Sequence, residues 1–359
     1  MKQLVILSIV CSMLLTGCMS NKEKTIRPAN FAMLQINPAK VDLSEKSAHF
    51  TIGMIGDILL HFPLYTYENY DISFSAVKDK MTDIDFLLAN QESLPGGVEL
   101  GLSGYPLFNS PKHIIRDLKA NGVDLLSIAN NHTIDRNESG LLNAIGHMKE
   151  YGMPYVGAYE SADDHETKRI FDVKGVRIGV LAYTYGLNGL VVPKGKDYLV
   201  SLIDKEQIAT EIIEMEKEAD LTVVSIHWGN EYALQPSDHQ KELAEWLSSK
   251  GVDIIFGHHP HVLQPYTKIG NTEVFYSLGN FYSAQAFDST NIGGIAKVHV
   301  SAVELGGKRF IELGNPTFYP TAVIRDENRR FVVVPLKDAS GKAIYNEEWV
   351  AAHVGLPSE

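Results

Sequence analysis

The feature that most constrains this chain is a long alternation of short apolar runs with amphipathic segments of helical period, in which the apolar runs stop at polar clusters. His49 to Ile55 reads as a strand and stops at Gly56-Asp57. Ser73 to Met81 reads as a helix. Phe86 to Ala89 is a short strand ended by Asn90-Gln91-Glu92. Pro111 to Asn121 is helical, with proline at its start and Gly122 at its end, as helix termini prefer. Val123 to Ile128 stops at Ala129-Asn130-Asn131-His132, with Asp135 close behind. Glu138 to Tyr151 is a helix closed by Gly152. Val176 to Ala182 is a strong strand, and Asp204 to Ala219 an amphipathic helix. Leu221 to Ile226 stops at His227-Trp228-Gly229. Ser237 to Lys250 is helical, and Val252 to Phe256 leads into Gly257-His258-His259-Pro260-His261.

Such alternation predicts an α/β fold, a sheet with helical crossovers. From Glu273 the texture changes. Val274-Phe275-Tyr276, Ile295 to Val303 and Phe331 to Val334 read as strands joined by turns, with no helix, and predict a second, more antiparallel sheet packed on the first. No internal repeat or low-complexity tract is visible, and no linker divides the chain after residue 47.

Taken singly, the polar clusters have plain explanations. Asp57 after a glycine suits a turn. Glu92 suits a solvated loop, and Asn130-Asn131 suits turn or cap chemistry. His227 beside Trp228 suits a packed core. His258, His259 and His261 are harder to explain by packing, because imidazole is a common metal ligand near neutral pH. His132 followed by Asp135 has the spacing at which a carboxylate orients an imidazole. If the strands are parallel members of one sheet, Asp57, Glu92, Asn131, His227, His259 and His261 converge on one rim, where open α/β sheets bind ligands. Carboxylate, amide and imidazole donors together suit one or two divalent ions of Mn, Fe, Zn or Mg.

The N-terminal residues read as a targeting signal. Lys2 is followed by an apolar run, Leu4 to Leu15, of signal-peptide length. It is too short for a stable membrane span. Leu15-Thr16-Gly17-Cys18 resembles a bacterial lipobox, whose cysteine becomes the lipidated first residue. The expected organisation is a signal peptide over residues 1–17, a lipidated tether over 18–47 and one domain over 48–359. Residue Cys18 then anchors the protein on the extracytoplasmic face of the bacterial cell membrane, two or more acyl chains being enough for stable anchoring. The other cysteine, Cys11, falls within the signal, so the mature chain has no disulfide and no cysteine metal site. A net charge of −12 argues against a nucleic-acid partner, which needs a basic surface. It also argues against passive capture of any long polyanion.

In chain order, Asp, an acidic residue, Asn-His, His and His-x-His resemble the ligand order of calcineurin-like metallophosphoesterases. The spellings Gly56-Asp57-Ile58, Asn90-Gln91-Glu92, Ala129-Asn130-Asn131-His132-Thr133-Ile134-Asp135, His227-Trp228-Gly229-Asn230-Glu231-Tyr232, Gly257-His258-His259-Pro260-His261-Val262 and Tyr276-Ser277-Leu278-Gly279-Asn280-Phe281 are similar to the CapA family of poly-γ-glutamate capsule synthesis, over residues 49–285. The resemblance implies a four-layer α/β/β/α sandwich with a metal site at the rim of the sheets. It implies Asp57 and His261 on a first ion, Glu92 bridging, and Asn131, His227 and His259 on a second. It implies His132, oriented by Asp135, as general acid or transition-state stabiliser. His61, Asn130, Tyr185, Glu231, His258 and Asn280 are candidate substrate or auxiliary residues, although Tyr185, Trp228 and Tyr232 equally suit packing beneath the loops. Two departures stand out. The phosphoesterase pattern has histidine two residues after the first Asp, where this chain has Leu59; His61 can substitute only if the backbone turns it back. The bridging position is Glu92 rather than Asp.

Three functions follow as expectations. The first is a membrane-anchored accessory protein of poly-γ-glutamate synthesis, export or attachment, with a metal-dependent hydrolase-type site and with the polymer and membrane-bound synthase proteins as partners. The second is a surface metallophosphoesterase acting on a phosphorylated small molecule, lipid or wall polymer. The third is a non-catalytic scaffold, motivated by Leu59.

Overall fold

The computed structural model describes residues 46–305 and 308–357. The lipobox-like segment, Cys18 and nearly all of the expected tether lie outside the described residues. No described helix is long and apolar enough to cross a membrane.

The strands are β1 (Lys46–Leu59), β2 (Phe86–Gln91), β3 (Leu125–Ser127), β4 (Tyr155–Val156), β5 (Ile170–Val173), β6 (Val176–Thr184) and β7 (Leu221–His227), then β8 (Ile254–His258), β9 (Leu263–Ile269), β10 (Thr272–Leu278), β11 (Asn280–Ser283), β12 (Ile292–Leu305), β13 (Lys308–Arg325) and β14 (Phe331–Pro335). The helices are α1 (Asp71–Phe74), α2 (Lys78–Thr82), α3 (His113–Ala120), α4 (Asn137–Glu150), α5 (Ala162–Glu166), α6 (Lys205–Met215), α7 (Asp238–Ser249) and α8 (Glu347–Val354). One sheet runs β14-β13-β12-β1-β2-β3-β4, with β11 also paired to β1; the other runs β5-β6-β7-β8-β10-β9. In the first, β1 to β4 are parallel. In the second, β6, β7, β8 and β10 are parallel.

Three apolar cores define four layers. Ile115, Leu118, Leu141 and Ile145 from α3 and α4 pack on Leu87, Ala89 and Leu126 of the first sheet. Ile52, Met54 and Leu88 on the other face of that sheet meet Ile178, Val180, Val223 and Phe256 of the second. On its outer face the second sheet packs Val224, Ile226 and Ile255 against Ile208 and Ile212 of α6 and Leu243 and Leu247 of α7. The central strands are apolar on both faces because both faces are covered. The architecture is therefore the expected α/β/β/α sandwich.

The structure corrects three expectations. The late strands do not form a sheet of their own. β10 joins β8 in the second sheet, while β12 pairs antiparallel with β1 and extends the first sheet outward through β13 and β14. Hairpin texture marks antiparallel pairing but does not say which older strand the first hairpin strand joins. The C-terminal region also contains a helix: α8, capped by the Asn346 side chain, places Val350 and Val354 in the inter-sheet core. Ser73 to Met81 is two short helices rather than one, and the break between them turns Phe74, Val77 and Met81 into the core between the outer helices and the first sheet.

Candidate metal centre

The polar clusters do converge, but from two sheets. Asp57 comes from β1, Glu92 follows β2, Asn131 and His132 follow β3, His227 ends β7, His258 ends β8, and His259 to His261 follow it. The two sheets face each other, so their strand ends share one rim.

At the end of β1 the register with both neighbours shifts around Asp57. A Cβ on Gly56 would lie 2.2 Å from the Gly279 carbonyl oxygen, so only glycine admits β11 this close. The bulge buries Asp57 completely. Its Oδ1 accepts from Asn90 Nδ2 at 2.8 Å and pairs with His258 Nδ1 at 2.9 Å. Its Oδ2 accepts the His259 backbone N–H at 3.3 Å and lies 3.2 Å from His261 Nδ1. Burial alone would raise this carboxyl, but the bonds to His258 and His261 hold it well below the usual range.

Glu92 is equally buried and differently placed. Neither of its carboxylate oxygens has a hydrogen bond among the described residues. Its Oε1 lies 3.5 Å from His227 Nε2 and 3.7 Å from His261 Nε2. Burial pushes its carboxyl well above the usual range. Burial also holds His227 well below the usual imidazole value, and His259 down to about 3. For His261 burial acts in the same direction, but the Glu92 and Asp57 carboxylates outweigh it and raise the imidazole to about 9.

Glu92, His259 and His261 bring one donor atom each within 4.8 Å of one another, and so do Asp57, Glu92 and His227. Glu92 is common to both groups, as a bridging role requires. The remaining residues divide differently from the implied ligand sets, because His261 spans both carboxylates. Asn131 Oδ1 sits 2.8 Å from His227 Nε2, beside the second group. His227 Nδ1 and His259 Nδ1 also lack hydrogen bonds among the described residues. Buried carboxylate and imidazole atoms without partners are costly. Backbone strain points the same way: His259 and His261 hold φ of 97° and 59°, which non-glycine residues seldom adopt. These donors fit a divalent cation.

Beside this group, His132 Nδ1 pairs with Asp135 Oδ2 at 2.7 Å, and that oxygen also accepts the Phe108 N–H at 2.6 Å. The bond assigns the proton to Nδ1 and leaves Nε2 for chemistry. The ring of Phe108 stands edge-on to His132 at 4.7 Å and to His61 at 5.1 Å. His61 does turn back: its Nδ1 lies 3.1 Å from the Leu59 carbonyl oxygen, and its imidazole, lowered to about 4 by burial, feels His261 and His132. It joins neither donor group. Leu59 is buried and offers no donor.

The other candidates sort by contact. His258 faces the inter-sheet core, between Asp57 and the Met54 sulfur at 3.3 Å, and so holds Asp57 rather than a substrate. Asn130 shapes its loop, donating to the Gln91 carbonyl and accepting the His132 N–H. Asn280 stands in register with Asp57 and places Oδ1 3.0 Å from His261 Nδ1. Tyr185 lies over His259 with ring centroids 4.6 Å apart, and Glu231 is exposed at the mouth. Trp228 packs in the core, its Nε1 donating to the Tyr276 carbonyl. Sequence reasoning missed Asn90, Phe108 and Asn188, the last accepting from Asn131 Nδ2 at 3.2 Å. Asn90 was signalled by its place in the Asn-Gln-Glu run. Phe108 acts largely through its backbone, which leaves no compositional trace.

Comparison with known proteins gives a consistent assignment. The family described as "Bacterial capsule synthesis protein PGA_cap" matches residues 51–285. The PGA biosynthesis protein CapA of Bacillus subtilis (strain 168) is 36% identical over 190 residues, 53% of this chain and 50% of that protein. The capsule biosynthesis protein CapA of Bacillus anthracis is 30% identical over 330 residues, 87% of this chain and 78% of that protein. The chain thus spans half the length of the first and over three quarters of the second. Among solved structures, the NAD nucleotidase of Haemophilus influenzae aligns with a TM-score of 0.45 and 12% identity, over 80% of this chain and 60% of that one. The "Putative 5'-Nucleotidase from Staphylococcus aureus" aligns with a TM-score of 0.44 and 14% identity, over 84% of this chain and 57% of that one. With the family matched across the whole segment that carries the site, and with the B. anthracis protein 30% identical over most of both chains, the chain belongs to the PGA_cap family of bacterial capsule synthesis proteins.

Proposed function

We propose that this protein is an accessory protein of poly-γ-glutamate capsule synthesis, export or attachment. It is anchored through lipidated Cys18 on the extracytoplasmic face of the membrane beside membrane-bound synthase proteins, and it works through a divalent-metal site of hydrolase type. The observation that carries the site is Glu92, a fully buried carboxylate without a hydrogen bond among the described residues, shared by two groups of Asp and His donors. The names of the relatives support the capsule role.

Asp57, Glu92, Asn131, His227, His259 and His261 would hold one or two ions of Mn, Fe, Zn or Mg. Bound there, a divalent ion would polarise a substrate oxygen and supply hydroxide near neutral pH. Asn90 and His258 fix the position of Asp57, and His258 and His261 keep it ionised. Asp135 and the Phe108 amide fix the His132 ring, which as the imidazolium would present Nε2–H to the leaving group as proton donor. Asn280 orients His261 in the way that carbonyl partners orient ligating imidazoles. The His132–Asp135 pair favours a second reading, a surface metallophosphoesterase, since it adds proton transfer to metal binding.

Elemental analysis of the full chain, purified in detergent, tests the site. Near-stoichiometric Mn, Fe or Zn is expected in the wild type and is lost in His259→Ala. No metal in the wild type after loading with each ion would sink the metal site and leave a scaffold. In cells that make the polymer, His259→Ala and His132→Ala are each expected to abolish surface polymer. Normal polymer in both variants rules out a role for the site in capsule formation.

A further inference from the structure

Three exposed aromatic rings stand at the mouth of the site. Tyr185, Tyr232 and Phe287 are 46%, 40% and 56% exposed, on the loops after β6, β7 and β11. The Tyr185 ring lies 4.6 Å from His259, and the Tyr232 ring 6.2 Å from His261. Phe287 meets Tyr232 edge-on at 5.1 Å. Exposed aromatics gathered on loops at the strand ends mark a contact surface.

Next to Tyr232 in the chain is an exposed carboxylate, Glu231, whose charge acts on Tyr232, Tyr185, Glu92 and His261. The backbone is built to hold this group. Tyr232 keeps a φ of 64°, its N–H donates to the Pro260 carbonyl at 2.8 Å, and its hydroxyl accepts from Gln285 at 3.4 Å. Gln285 in turn accepts from Asn280, the partner of His261, at 2.8 Å. The lip and the buried donors therefore belong to one network.

The charge of this lip selects its ligand. Among the described residues, the cationic groups that act most strongly on Asp57, Glu92, His227, His259 and His261 are other histidines. Glu231 adds a negative charge where a polyanionic substrate would enter. A chain bearing a carboxylate on each residue is repelled there, except at its amino end. Exposed aromatic rings with a carboxylate on the same lip can attract an ammonium group, through the ring quadrupoles and through direct charge.

We propose that Glu231, Tyr232, Tyr185 and Phe287 form a subsite for a primary ammonium group, so that a γ-linked glutamyl chain is taken by its free amino terminus rather than along its length. The choice of chain rests on the capsule role proposed above; the ammonium specificity rests on the lip itself.

Isothermal titration of the full chain in detergent, loaded with Mn, tests this with two probes: a short γ-linked glutamate oligomer with a free amino terminus, and the same oligomer N-acetylated. The free-amine oligomer is expected to bind about tenfold more tightly. Glu231→Gln is expected to bring the two affinities together with metal content unchanged, and Glu231→Lys to reverse the preference. Equal affinity for both oligomers in the wild type would overturn the subsite. Binding of neither oligomer would overturn it as well. Metal content of the same sample and surface polymer in Glu231→Gln cells then report separately on the proposed function.

Discussion

Glu92 and the histidines around it give the site an electrostatic character that stability measurements can read. An unfolded imidazole titrates near about 6.5. The folded protein holds His259 down to about 3, so its stabilising contribution is present above about 6.5 and is lost as pH falls from there toward 3. His261 behaves in the opposite way. Its folded value is raised to about 9, so its contribution is full below about 6.5 and is lost as pH rises through 9. The His259 and His261 contributions are therefore expected to overlap fully only near about pH 6.5 in the metal-free protein, and on the acid side the raised Glu92 carboxyl opposes the loss from His259. Urea unfolding from about pH 4 to about pH 9.5 checks this, and stability that keeps rising through pH 9 would contradict the pairing of His261 with Glu92 and Asp57. At this scale the sequence was most informative about chemistry and least about orientation. Three histidines in Gly257-His258-His259-Pro260-His261 were visible. That His258 turns inward to Asp57 and Met54 while His259 and His261 face Glu92 depends on positive-φ backbone at His259 and His261, which nothing in their side chains announces.

At the scale of elements, the strand ends are shaped by close backbone approach. A Cβ on Gly257 would lie 2.0 Å from the Tyr276 carbonyl oxygen and 2.5 Å from Trp228 Nε1, across the bond that joins those two groups. Backbone cannot yield there as a side chain can. Gly257→Ala is expected to cost about 3 kcal/mol, whereas Gly314→Ala, with nothing within 4 Å, is expected to be close to neutral. Equal effects in urea unfolding would show that the approach is slack. The start of α7 makes a similar link. Ser237 and Gln240 form a capping box, and Gln240 also bonds Gln264, which donates to the Ala233 carbonyl at 2.8 Å. The helix terminus thereby steadies the loop that carries Glu231 and Tyr232. Most helices and strands of the parallel halves were legible because 3.6- and 2-residue periods are local. Two-residue β4 and the helix α8 were not, the first being too short for a period and the second following a long run of hairpins.

Across the whole molecule, the site exists only where the two sheets meet, so metal binding and folding are expected to be coupled. An ion present at about 100 times its Kd should raise unfolding free energy by about 2.7 kcal/mol. In His259→Ala this gain is expected to shrink or vanish, as thermal unfolding with and without a chelator would register; an equal gain in both proteins would place the ion elsewhere. The alternation of strand and helix, the donors at the strand ends and the motif order that marks the family can all be read from the residues alone. Each of these depends on neighbours along the chain: side-chain period, the stop after an apolar run, and residue chemistry. The tertiary structure alone decided that Asp57, Glu92 and Asn131 come from one sheet and His227, His259 and His261 from the other. It also decided that β12 closes on β1, and that Glu92 is left buried without a hydrogen bond among the described residues. The reason is physical: periodicity tells a strand which face to bury, but its partner is selected by burial and backbone pairing among segments far apart in the chain.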